Sequence, residues 1–84
     1  MPRIIVERSF DPPVSQADLD ATFERVGGCL GLYGARHIRS HLSNDRRRMF
    51  CEFDAADAQS VRDLQGAANA PFDRVWPATV IGEN

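Results

Sequence analysis

Residues 37–53, HIRSHLSNDRRRMFCEF, alternate in polarity on both sides of Asn44-Asp45-Arg46-Arg47, and this constrains the fold more than any other stretch of the chain. Period-two alternation marks a strand with one buried face, and two such runs joined by a short polar loop read as an antiparallel hairpin. With Asn44 to Arg47 as the loop, Ser43 faces Arg48, Leu42 faces Met49 and His41 faces Phe50. Ser40 then faces Cys51, Arg39 faces Glu52 and Ile38 faces Phe53. This register puts Ile38, Leu42, Met49, Cys51 and Phe53 on one side with Ser40, and His37, Arg39, His41, Phe50 and Glu52 on the other. A slip of one residue would set the polar side of one strand beside the apolar side of its neighbour, so the pattern specifies the pairing.

The flanking segments supply the remaining elements. Arg3 to Phe10 reads as a strand, with Ile4, Val6 and Phe10 on one face and Arg3, Ile5, Glu7 and Ser9 on the other, stopped by Asp11-Pro12-Pro13. Ser15 followed by Asp18 resembles a capping box, and Val14 against Leu19 suits a hydrophobic staple, so a helix should begin there. Leu19, Phe23, Val26, Leu30 and Tyr33 form its apolar stripe. Gly27, Gly28 and Gly31 weaken the later turns by up to about 1 kcal/mol each, and Gly34 is the stop. Asp54 or Asp57 can cap a second helix that buries Val61, Leu64 and Ala68 and ends at Asn69-Ala70-Pro71. Arg74 to Ile81 reads as a strand interrupted by Pro77, which suits a sheet edge.

The order βαββαβ predicts an α+β ferredoxin-like sandwich, a four-stranded antiparallel sheet with two helices on one face. With 84 residues and 43% hydrophobic content, residues 1–84 should form one domain. The uncovered face should carry Ile5, Phe50, Trp76 and Val80, an apolar set that predicts closure by a homodimer. A net charge of -2 and a pI near 5.5 argue against a nucleic-acid partner. Arg46 to Arg48 are a local exception, expected to be a solvated hairpin tip. The start, MPRIIVERSF, has an apolar run of three residues, too short for a signal or membrane segment, so no membrane partner and a cytoplasmic location are expected. Cys29 and Cys51, without a CxxC spacing, read as buried thiols.

The segments PRIIVERSF, MFCEFDAADAQSVRD and APFDRVWPATVI, spread from Pro2 to Ile81, resemble a small nickel-binding family of ferredoxin-like bacterial proteins, long catalogued as a domain of unknown function. The resemblance implies an α+β sandwich, a homodimer built through the sheets and binding of nickel or another divalent ion by at least one member. The family pattern corresponds here to Glu7, Arg8, Ser40, Cys51, Asp73 and Arg74. It departs at two places: His41 replaces an aromatic after the serine, and Arg3 follows Pro2 where an aromatic is frequent.

Four steps along one strand separate the alpha carbons of His37 and His41 by about 13 Å, too far to share an ion. A metal must recruit one of them together with groups from adjacent strands or across a dimer axis. The first strand lies beside the third in this fold, so Glu7 and Glu52 can approach His41 or His37, and imidazole with carboxylates suits nickel or zinc. The candidate ligands are therefore His41, His37, Glu7 and Glu52, with Cys51 as a soft donor if it turns to the open face. The competing reading is a plain Arg39–Glu52 ion pair with solvated histidines.

No nucleophile with a positioned base is apparent, and the glycines of VGGCLGLYG follow no strand as a phosphate loop requires. The expected function is a non-catalytic, homodimeric binder of nickel or another divalent transition metal, serving storage, buffering or sensing. The alternative is a small-molecule enzyme or binder of the dimeric alpha-beta barrel type, with a histidine and Glu7 or Glu52 as acid and base. It predicts a cavity of a few hundred cubic ångströms under or between the sheets.

Overall fold

In the computed structural model, which describes residues 1–82, four strands and two helices follow in the order β1 (Arg3–Ser9), α1 (Gln16–Cys29), β2 (Arg36–Leu42), β3 (Arg48–Asp54), α2 (Ala58–Ala67) and β4 (Arg74–Ala78). The sheet order is β2-β3-β1-β4, and each neighbouring pair is antiparallel. This is the ferredoxin-like α+β arrangement that the element order predicts. Pro77 lies on β4, an edge strand, where a missing N–H breaks no inner ladder.

Both helices start where side-chain caps satisfy their first amides. Ser15 Oγ accepts the Asp18 N–H at 3.1 Å, and Asp57 Oδ1 accepts that of Ser60 at 2.7 Å. Helix α1 leads into a 3-10 turn, Gly31–Tyr33, closed by Gly34 at φ 62, a left-handed conformation that glycine adopts without a Cβ penalty. The core lies between sheet and helices: Ile4 and Val6 from β1, Met49, Cys51 and Phe53 from β3, and Val75 from β4 meet Leu19 and Val26 of α1 and Val61 and Leu64 of α2. Each such Val, Leu or Phe contributes about 1.5–3 kcal/mol through burial.

The inner hairpin pairs are those the alternation predicts: Arg39 with Glu52, Ser40 with Cys51, His41 with Phe50, and Leu42 with Met49. The prediction fails one step further out. His37, not Ile38, pairs with Phe53, because Ile38 is an extra residue at a β-bulge in β2. His37 therefore leaves the open face and turns toward the helices. Its ring centroid lies 5.3 Å from that of Phe23 and 5.2 Å from that of Phe53. A hydrogen bond of 2.8 Å links its Nε2 to Ser40 Oγ.

The hairpin tip is more anchored than a solvated loop. Arg46 Nε donates to Val14 O at 2.7 Å, and the Phe10 and Val14 amides donate to the carbonyls of Arg47 and Arg46. The tip thus braces the segment that enters α1. The last strand stops at Ala78, short of the predicted Ile81, and Thr79 to Ile81 are exposed.

Candidate functional site

The register sets three rows of side chains across the sheet face that no helix covers. They run Arg36, Asp54, Arg3 and Ala78; then Arg39, Glu52, Ile5 and Trp76; then His41, Phe50, Glu7 and Arg74. Phe50 and Trp76 keep 38% and 39% exposure. The carboxylates sit lower, sheltered by their neighbours, and each is held by cationic or polar donors.

Glu52 is the hub. Its Oε2 lies 2.8 Å from His41 Nε2 and 3.3 Å from Arg39 Nε, and its Oε1 accepts Arg3 Nη1 at 2.6 Å. The hydrogen bond from His41, followed by that from Arg3, holds the Glu52 carboxyl below its usual range against the opposing effect of burial. One step along β3, Asp54 accepts Arg36 Nη2 at 2.8 Å and Arg3 Nε at 3.4 Å, and its carboxyl is lowered chiefly by the Arg36 bond. Glu7 belongs to a second group: Trp76 Nε1–H donates to Oε2 at 2.6 Å and Arg74 Nη2 to Oε1 at 3.0 Å. The Trp76 bond is the main reason its carboxyl is lowered.

The five sequence-predicted metal donors are thus divided. His41 and Glu52 meet on the open face. Glu7 shares that face and the row of His41, but Phe50 stands between them and both Glu7 oxygens are engaged. His37 is on the opposite face for the bulge reason given above. Cys51 also faces the helices, as its place in the register predicts, and is fully buried in the core. Among the described residues, no three His, Cys, Asp or Glu side chains come together as a metal-holding group. An imidazole nitrogen and a carboxylate oxygen on adjacent strands suit a borderline divalent ion, but two donors do not complete a four- or six-coordinate shell.

Two participants escaped the sequence reading. Arg3 ties Glu52 to Asp54, and Trp76 donates to Glu7; Arg3 faces Asp54 directly, whereas its reach to Glu52 and that of Trp76 to Glu7 run diagonally between neighbouring strands, so spacing within one segment does not reveal them. An open hollow of about 450 Å³ lies beside the pair, lined by His41, Leu42, Ser43, Arg48 and Phe50. The small-molecule reading expects a cavity under or between the sheets; Phe53, Ile4, Met49 and Leu64 fill the space beneath the sheet at 0–1% exposure, while an open hollow of about 360 Å³ lies at the end of β1 and the start of α1, lined among others by Arg8, Phe10, Val14 and Thr22. No helix among the described residues is long and apolar enough to cross a membrane.

No curated protein sequence matches the chain. A solved structure, that of SCO4226 from Streptomyces coelicolor A3(2), is similar with a TM-score of 0.84 over 95% of this chain and 99% of that one. At 8% identity the likeness speaks for the fold alone. Residues 5–77, nearly the whole span that carries the strands and helices above, match the family described as nickel responsive protein SCO4226-like, and the chain belongs to that family.

Proposed function

We propose that the protein is a non-catalytic binder of a divalent transition metal, nickel first, working as a cytoplasmic homodimer in nickel storage, buffering or sensing. Each protomer contributes His41 Nε2 and Glu52 as half of a site, and a second copy facing the open sheet supplies the other half. The observation that carries this reading is the 2.8 Å contact between His41 Nε2 and Glu52 Oε2 on an uncovered sheet face. Membership of a nickel-responsive family supports the choice of metal. The half-exposed Phe50 and Trp76 support the dimer, because apolar side chains grouped on one face favour a partner over water. Glu7 enters a shell only by releasing Trp76 and Arg74, which ranks it behind Glu52.

Calorimetry of the metal-free protein with nickel chloride tests the site. Wild type is expected to bind, His41→Ala and Glu52→Gln to lose at least tenfold in affinity, about 1.4 kcal/mol, and His37→Ala to keep it. Absence of binding by wild type, or full binding by His41→Ala, overturns the assignment.

A further inference from the structure

We propose that Arg3 is a built-in competitor for the metal: its guanidinium occupies Glu52, and a divalent ion binds there only by displacing it. The inference rests on His41 and Glu52 being the metal donors.

Glu52 has no oxygen to spare. Oε1 accepts Arg3 Nη1 at 2.6 Å, while Oε2 is shared by His41 Nε2 at 2.8 Å and Arg39 Nε at 3.3 Å. The two arginines are not equivalent. The Arg3 side chain is 13% exposed, against 52% for Arg39, and Arg3 also reaches Asp54 Oδ1 at 3.4 Å through Nε. A planar fork that bridges two carboxylates on alternate positions of β3 is held in place and gains from both. A metal entering between His41 and Glu52 meets a fixed positive charge already seated on its carboxylate.

The surrounding charge points the same way. By strand register the open face carries Arg3, Arg36, Arg39, Arg48 and Arg74 against Glu7, Glu52 and Asp54, five cations against three anions, for a face charge of +2. The whole chain is -2. A bare dication is therefore repelled by the face as a whole and attracted only by what Glu52 offers once Arg3 has let go. Because a guanidinium stays protonated at any working pH, this competition cannot be titrated away. It sets a threshold: the site responds to nickel only above a concentration that Arg3 helps determine. On release, Arg3 keeps a carboxylate in reach at Asp54, so displacement exchanges one partner for another and does not strand a charge.

The test is calorimetry of the metal-free protein with nickel chloride on wild type, Arg3→Gln and Arg36→Gln, each checked for folding by its thermal melt in the presence of a chelator. Arg3→Gln is expected to bind about tenfold more tightly, the scale of one charged hydrogen bond that no longer has to be broken. Adding His41→Ala to Arg3→Gln should abolish the gain. Arg36→Gln removes the same charge from a position that touches Asp54 and should change affinity by less than about threefold. If Arg3→Gln does not fold, Arg3→Lys serves, since a point charge on a shorter chain bridges two carboxylates poorly and should give an intermediate gain. Wild-type binding with equal or weaker binding by Arg3→Gln overturns the competitor and leaves the metal reading intact. Silence from both proteins removes the metal reading and this inference together. Binding by Arg3→Gln alone overturns the proposed function, which requires wild type to bind, and with it a competitor that only sets the affinity.

Discussion

Arg8 carries a charge into the helix-covered side of the sheet with 3% exposure, and its partners are neutral: Gln65 Oε1 at 2.5 Å, Pro71 O at 2.9 Å and Ala70 O at 3.4 Å. These bonds fasten the loop after α2 to the end of β1. Arg8→Met removes the donors but leaves the buried Gln65 amide and two carbonyls behind, so the variant should lose about 2–4 kcal/mol in urea unfolding. Replacing Gln65 by Leu in the same chain should recover part of that loss, because the orphaned amide leaves with it; a fully additive loss would refute the pairing. His37 makes a prediction of a different kind. Burial between Phe23 and Phe53 disfavours its charged form and pulls its pKa below the ordinary 6.5. With the folded value lowered, the unfolded chain takes up the proton first, so stability falls as the pH drops through about 6.5 and is level above it. In His37→Phe, stability between pH 5.5 and 7.5 should lose that slope while nickel binding is unchanged.

The elements show which parts of the structure were written locally. Both helix starts were legible to within a turn because a cap is a short-range signal: Ser15 and Asp57 reach amides three residues on, while Asp54, the other candidate for the second cap, stays on β3 and accepts from Arg36 and Arg3. The four inner hairpin pairs were legible because alternation and loop length fix register together. The bulge was not, since His37-Ile38-Arg39 alternates perfectly as a string; in the structure the His37 ring sits between those of Phe23 and Phe53, a packing preference that accounts for Ile38 as the extra residue. That single inserted residue separated the two histidines onto opposite faces and reduced the candidate site to His41 and Glu52. Deleting Ile38 tests the account. Without it, Arg36, Arg39 and His41 fall on the open side and His37, Ser40 and Leu42 on the other in unbroken alternation, so the chain should fold with every remaining pair preserved. Nuclear Overhauser contacts between the His37 imidazole and the Phe23 ring should persist; their loss, with His37 moved to solvent, would show that the bulge is imposed by something else.

At the scale of the molecule, the same open face is asked to attract a second copy while carrying a charge of +2. A standard interface takes about 800 Å² from each partner, a large share of a surface of 5182 Å², so the apolar side chains in its centre must outweigh the repulsion at its rim. Phe50 is the best probe of that balance, because its phenyl ring stands between the Glu52 and Glu7 groups and takes no part in their hydrogen bonds. Phe50→Arg removes apolar area and adds one positive charge on each side of the interface. Wild type should sediment near twice 9.4 kDa, and Phe50→Arg at the single-chain mass with unchanged far-UV circular dichroism. The sign of the salt effect discriminates further. Two faces of like charge repel less when screened, so the wild-type dimer should tighten as ionic strength rises from about 20 to 200 mM, over which the Debye length shrinks from roughly 20 to 7 Å. A dimer that weakens with salt would mean that arginines of one copy sit on carboxylates of the other, and the competition on Glu52 would then be decided between protomers and not within one.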